Sequence, residues 1–247
     1  MVHSHQVFAI IPAAGSGSRM NMAQNKQFLQ IGKYPVIIRT LRVFENHPAI
    51  TGYLVVAASE DLVTMNRLIQ DYNLTKCLGV TVGGSSRQKS VVLGLESLLN
   101  KNPDIDDSII LVHDGARCFV ATTVIDRVIE GIALHLACGA AIPVKDTIKR
   151  ASIDGLVLET LDRSQLWSIQ TPQGARFSLL RAAYDQALES GWEVTDDLAV
   201  LEKAGVMVRL VAGDERNIKL TTPEDLLLGE RLANNLDNEQ RTTNSDR

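Results

Sequence analysis

The 247-residue sequence is poor in aromatic residues, at 4%, and has only three cysteines. Cys77, Cys118 and Cys138 are scattered, with no C-x-x-C spacing. That excludes a disulfide framework, offers no zinc-binding pattern and fits a reducing compartment. No apolar run approaches the roughly 20 residues that a membrane-spanning helix needs. Residues 1–6 lack the basic start, apolar core and small-residue cleavage site of a secretory signal. A cytoplasmic protein is expected, without a membrane partner. Basic residues are also in short supply: 25 Lys and Arg stand against 29 Asp and Glu, for a net charge of −4. Nucleic-acid binders usually carry a basic surface, so no nucleic-acid partner is expected. An anionic small molecule stays open, provided the cations gather locally.

What the chain does have is apolar residues, 45% of the total, arranged in alternating patterns. Residues 7–12, 54–58, 78–82, 109–112 and 140–143 read as short buried strands. Between them, 35–46, 60–72, the stretch after Gly84 to residue 100, and 122–136 read as helices. Strands alternating with helices predict an α/β fold with a mainly parallel sheet covered on both faces. Ligands of such sheets bind beyond the carboxyl ends of the strands, and that gathers Gly15, Gly84 and Asp114 into one candidate cleft. Residues 144–166 break the rhythm, with Asp154-Gly155 between two alternating runs as a hairpin signal. A lone hairpin is marginally stable, so this arm is expected to lean on something, such as a second subunit. The expected organisation is one domain over 1–236 with an arm at about 144–166. A final helix runs from Pro223 to about Asn234, and a polar tail, 237–247, is expected to be disordered.

The loop Ala13-Ala14-Gly15-Ser16-Gly17-Ser18-Arg19 follows the first strand. Its glycines let the backbone approach a ligand and aim N–H groups at an anion. A dinucleotide fingerprint fails because its third glycine falls at Met20, and a Walker loop fails for want of Gly-Lys-Ser/Thr. Arg19 and Lys26 then flank the loop as two cations suited to a triphosphate, unless they are plain solvated charges. Gly83-Gly84-Ser85-Ser86-Arg87 opens a helix, and is read either as an anion site or as ordinary capping by Ser85 or Ser86. His113-Asp114-Gly115-Ala116-Arg117 ends a strand, where Asp114 can take a ribose, a substrate hydroxyl or a metal, or simply pair with an arginine. His113 points to the opposite face from Asp114 and reads as packing. Thr222-Pro223 reads as a helix start with Asp225 as its capping partner, which leaves Lys219 without a structural explanation.

Taken in order, these stretches resemble the 2-C-methyl-D-erythritol 4-phosphate cytidylyltransferases. The likeness spans residues 7–226 and rests on Pro12-Ala13-Ala14-Gly15, Gly17, Arg19-Met20, Lys26-Gln27-Phe28, Gly83-Gly84, Arg87, Ser90-Val91 and His113-Asp114. It continues through Ala116-Arg117, Asp146-Thr147, Asp162-Arg163, Thr171-Pro172-Gln173, Thr195-Asp196 and Asn217-Ile218-Lys219. The resemblance implies a Rossmann-like nucleotidyltransferase fold whose arm builds a homodimer with shared active sites. It implies a reaction of CTP with the sugar phosphate that releases pyrophosphate, with Mg²⁺ held mainly by the CTP phosphates. By position, Arg19 and Lys26 match transition-state stabilisers; Arg163, from the partner's arm, and Lys219 match the residues that position the sugar phosphate. Ala13, Ala14, Gly15, Gly84, Ser85 and Ser90 match CTP contacts, and Asp114, Arg117, Thr147, Thr171 and Thr195 match the sugar-phosphate site.

The chain departs from the family pattern at Asn25, Gly115 and Cys118, where Pro, Ala and Pro are usual. Gly115 is expected to loosen its loop; Cys118 reads as a plain substitution, with a reactive thiol as the alternative. Two other functions stay open: ribitol-5-phosphate cytidylyltransferase activity, and non-catalytic nucleotide binding on the same fold. Retention of both Arg19 and Lys26 speaks against the second, because binding alone does not need both. A nicotinamide-dependent dehydrogenase is disfavoured by Met20.

Overall fold

The computed structural model describes residues 5–15 and 25–245, with side chains as far as Asn238. The chain begins with β1 (Val7–Pro12), whose alternate residues serve two cores. Ala9 and Ile11 face one, Phe8 and Ile10 the other. A small antiparallel ribbon follows, β2 (Gln30–Ile31) with β3 (Tyr34–Pro35), leading into α1 (Val36–Asn46). Then come β4 (Gly52–Ala57), α2 (Leu62–Asp71), β5 (Cys77–Val82), α3 (Arg87–Lys101), β6 (Ile109–Val112), α4 (Thr122–His135) and β7 (Ala137–Pro143). The arm holds β8 (Lys149–Ala151) and β9 (Val157–Thr160). The chain closes with β10 (Trp167–Arg176), α5 (Phe177–Glu189), α6 (Asp197–Lys203), β11 (Arg209–Ala212) and α7 (Pro223–Ser245).

Seven strands form one sheet in the order β11-β7-β10-β6-β1-β4-β5. All neighbouring pairs are parallel except those of β10, which runs antiparallel to both β6 and β7. The arm explains the exception. The chain leaves β7 at Pro143, travels out along the arm and returns opposite it, with Trp167 paired to Pro143. The arm is therefore an extended hairpin connection, which reverses direction where a helical crossover would have kept it.

Residues of α1, α2 and α4 cover one face of the sheet, and those of α3, α5 and α6 cover the other. Fully burying a side chain such as Ile10, Leu111 or Phe177 contributes about 1.5–3 kcal/mol, so these two cores fix the strand ends rigidly. A third cluster joins Ile31, Val36, Cys118, Phe119, Leu220 and Ala233, docking α7 beside α1.

Two expectations change. The last helix does not stop near Asn234 but runs to Ser245, and Asp237, assigned to the tail, is buried beside Arg39 at 3.4 Å. The ribbon β2–β3 was absent from the sequence reading, since two-residue strands leave no periodicity to read.

Candidate active site

The ends of β1, β5 and β6 open onto a cleft of about 400 Å³. Ala14, Gly15, Lys26, Gly84, Ser85, Ser90 and Asp114 line it together. The loops are pinned from below by Ala13 N–H donating to Val56 O at 2.7 Å and Gly83 N–H donating to Ala57 O at 2.8 Å. A Cβ on Gly83 would lie 2.6 Å from that of Ala14, so glycine is what lets the two loops meet. Ser86 caps α3 by accepting from Lys89 N at 3.1 Å. Ser90 is buried; its hydroxyl donates to Ser86 O at 2.9 Å and accepts from Gly84 N at 3.1 Å. Ser90 therefore shapes the floor, whereas Ser85 is exposed at the rim. Ala13 is buried and stays behind the cleft wall.

A smaller cavity of about 170 Å³ adjoins the first, and Arg87, Asp114 and Lys219 line both. Asp114 stands at the junction, 7% exposed. Lys219 Nζ lies 2.9 Å from Oδ2, Arg87 Nε 3.2 Å from Oδ1 and Arg117 Nε 3.6 Å from Oδ2. Burial alone would raise the pKa of Asp114, but Arg87 and Lys219, with help from Arg117, push it far below the usual carboxylate range. The collar is held in turn by a deeper set of groups. Asp197, wholly buried, accepts from Arg87 Nη1 at 3.1 Å and Nη2 at 2.6 Å, and from the Tyr184 hydroxyl at 2.5 Å. Gln173 Oε1 accepts from the N–H groups of Asp197 and Leu198, fixing the start of α6. Arg117 Nη1 donates to Asn217 O at 2.7 Å, which ties the strand end to the segment carrying Lys219.

His113 is fully buried, as expected for packing, and its ring lies 5.1 Å from that of Phe44. It also belongs to a relay. Thr171 Oγ1 accepts from Asp114 N–H at 3.1 Å and faces His113 Nδ1 at 3.1 Å, while Nε2 faces Arg117 O at 3.0 Å. The set closes if Nε2 carries the proton and Thr171 donates to Nδ1. Burial drives the imidazole pKa down to about 4, so the ring is neutral at neutral pH. Thr171 lines the small cavity, yet its hydroxyl is committed to this relay.

The structure thus brings together Lys26, Lys219, Asp114, Arg117, Thr171 and Thr195 with the glycine loops. Arg19 lies outside the described residues. Arg163 and Thr147 sit on the arm, exposed, and line neither cavity of their own chain; Arg163 Nη1 donates to Lys145 O at 2.8 Å. Sequence reasoning did not assign site roles to Arg87, Asp197, Tyr184 and Gln173. Only the pairing of an arginine at a helix start with a buried carboxylate 110 positions away would have signalled them.

The departures from the family pattern also resolve. Gly115 does not loosen its loop: its N–H donates to Pro12 O at 3.1 Å and its carbonyl accepts from Thr40 Oγ1 at 2.7 Å. A Cβ there would meet Ile37 Cδ1 at 3.0 Å, so the glycine fits a tight site. Cys118 is 1% exposed and burial pushes its thiol up to about 12, which marks it as a core residue and not a nucleophile. Asn25 accepts from Gln27 N–H at 3.2 Å and donates to Asp61 at 2.6 Å, capping the turn that presents Lys26.

Among the described residues, no three His, Cys, Asp or Glu side chains gather to hold a metal ion. Asp114 is the one carboxylate among the described residues that line the larger cavity. That donor set fits a hard cation bound chiefly by phosphate oxygens and water, with at most one protein carboxylate. No helix among the described residues is long and apolar enough to cross a membrane.

Comparison with known proteins agrees with this geometry. The family model for 2-C-methyl-D-erythritol 4-phosphate cytidylyltransferase (IspD) matches residues 7–234. A protein of that name from Geobacillus kaustophilus is 42% identical over 225 residues, covering 91% of this chain and 95% of the relative. One from Alkaliphilus metalliredigens is 42% identical over 235 residues, covering 95% of each. A crystal structure of the 4-diphosphocytidyl-2C-methyl-D-erythritol synthase of Anaerococcus prevotii superposes with a TM-score of 0.82 at 29% identity, over 94% of this chain and 97% of that one. A glycine-lined cleft closed by a carboxylate under three cations thus sits in a chain that belongs to the 2-C-methyl-D-erythritol 4-phosphate cytidylyltransferase family.

Proposed function

We propose that this chain joins CTP to 2-C-methyl-D-erythritol 4-phosphate, giving 4-diphosphocytidyl-2-C-methyl-D-erythritol and pyrophosphate, in isoprenoid biosynthesis. The family match and the relatives bear the methylerythritol name, which does not favour the ribitol alternative. The observation that carries the reading is the pair of joined cavities with cations at their junction. The larger is floored by glycines and open to a nucleotide; the smaller is sized for a sugar phosphate.

In this reading a phosphate oxygen of the sugar phosphate attacks the α-phosphorus of CTP, and the bond from that phosphorus to the β-phosphate oxygen breaks. No general base is needed, because the nucleophile is already an anion. The barrier lies in bringing two anions together, and positioned cations lower it. Lys26 and Arg19 stabilise charge growing on the α-phosphoryl group and the departing pyrophosphate. Lys219, beside Asp114, holds the incoming phosphate in line. A bound Mg²⁺ would shield charge on the triphosphate, and Asp114 would be the protein carboxylate within the cleft to hold it, in exchange for part of its cation collar.

The arm supports a homodimer. Among the described residues its strands pair only with each other, and Ile153, Leu156, Val157 and Leu158 stand exposed along it. Such a hairpin needs a second surface, and a partner's arm would bring Arg163 and Thr147 to the neighbouring cleft. The three free thiols suit a cytoplasmic setting.

Pyrophosphate release tests the reading: CTP with methylerythritol phosphate should turn over, while ribitol 5-phosphate in its place should give little. Lys26→Ala should lower the rate about 10²–10³-fold, the scale for removing one charge-stabilising donor, with the circular-dichroism spectrum unchanged. Near-normal turnover in that variant would sink the mechanism; preference for ribitol phosphate would sink the substrate assignment.

A further inference from the structure

A third cavity, of about 500 Å³, lies between α1, α7 and the segment 118–122 and shares no lining residue with the other two. Three arginines line it: Arg39, Arg42 and Arg216. Nothing in the proposed cytidylyl transfer uses them. Arg39 is 8% exposed and pairs with Asp237, yet its Nε is buried without a hydrogen-bond partner. Asp237 and the Ile31 carbonyl offset the cost of burying this guanidinium, and Nε is left as spare donor capacity beside the cavity. Arg42 lies with its guanidinium carbon 4.6 Å from the centre of the Tyr34 ring and, among the described residues, has no carboxylate partner. Ring stacking fixes a guanidinium without neutralising it.

Two further features share the sign and the shape. The 14-residue helix α4 begins at the cavity wall with Ala121 and Thr122, and no side chain caps it. Its first N–H groups therefore favour a negative charge. The rest of the wall mixes apolar side chains, Phe119 and Leu236 among them, with Asn46, Asn235 and the Asp237 carboxylate, which is already paired to Arg39. The volume falls within the range of about 300–1,000 Å³ usual for small-molecule sites.

We propose that this cavity is a second binding site, separate from the cytidylyl-transfer cleft, for a small organic anion. Its ligand carries a carboxylate, sulfonate or phosphate on an apolar or aromatic body. The charge meets Arg42 and the start of α4, and the body lies against Phe119 and Leu236.

The probe is 8-anilinonaphthalene-1-sulfonate, titrated by fluorescence against the full chain in saturating CTP. One molecule should bind per chain, with affinity unchanged by CTP. Arg42→Ala should weaken binding about tenfold or more, the scale for one charge-assisted contact, while pyrophosphate release stays normal. N-phenyl-1-naphthylamine, which lacks the sulfonate, should bind at least about tenfold more weakly for the same reason. Asn235 is exposed at the cavity wall, so Asn235→Trp, which obstructs the cavity from the surface, carries the test if Arg42→Ala fails to fold. Displacement of the probe by CTP, equal binding of the uncharged analogue, or full affinity in both variants would overturn the proposal.

Discussion

The collar around Asp114 and the arm at 144–166 are both rich in charge, yet they are built on opposite principles. In the collar, every cation reaches a buried carboxylate, and the residues that carry the carboxylates are themselves anchored: Tyr184 donates to the Asp197 carboxylate, while Gln173 and Thr171 accept from the main-chain N–H groups of Asp197 and Asp114. On the arm, Arg150 meets Glu159 at 2.7 Å and Lys145 meets Glu215, but all four side chains are largely exposed. Water already solvates the arm's ions, so their pairing adds little. The collar's carboxylates have left water, so they depend on the cations around them. The same chemical groups thus give rigidity in one place and a detachable surface in the other.

The comparison breaks first at Asp197. Asp197→Ala should destabilise the fold by about 3–5 kcal/mol, the cost of leaving a buried ion unpaired. Glu159→Ala on the arm should change stability by under about 1 kcal/mol. Denaturant melts of the two variants read both values, and equal losses would erase the distinction. A mixing experiment sharpens it next. Arg163→Ala and Lys26→Ala chains, each nearly inactive, should regain about a quarter of wild-type activity at equal mixing, because half the dimers then hold one intact site. Absence of recovery in verified mixed dimers would confine Arg163 to its own chain. The smallest effect concerns His113. Its folded pKa lies near 4, below the ordinary 6.5, so the unfolded chain binds the extra proton first as pH falls. The stabilising contribution is complete above pH 6.5 and is lost on acidification towards pH 4. Between pH 6.5 and 5.5 stability should fall by about 1 kcal/mol from this group. A melt series that stays flat between pH 6.5 and 5.5, or a His113 ring resonance that titrates near 6.5 in the native protein, would contradict the buried neutral ring.

The sequence was most informative where one local pattern suffices. β1 could be read residue by residue because its apolar run is bounded by Pro12 and the glycines. The arm announced itself through Asp154-Gly155. The cleft was legible as three loops at strand ends, since strand polarity places them together. Arg87 was visible as a helix-start residue, but its role depends on Asp197, 110 positions later, and no local rule connects them. Thr171 drew attention as a substrate contact, whereas its hydroxyl serves Asp114 and His113. The length of α7 was missed because polar composition hid a helix that Arg39 anchors through Asp237.

Asp114 has one more consequence. Lys219 sits 2.9 Å from a carboxylate before any substrate arrives. In the proposed reaction an incoming phosphate must compete with that resident anion for the lysine. In that reaction the exchange would shorten the dwell time of a phosphate held by Lys219, the freshly made diphosphate ester included, because Asp114 stands 2.9 Å from the cation. A carboxylate that weakens capture would thereby speed escape, and the cleft would be reset by its own side chain.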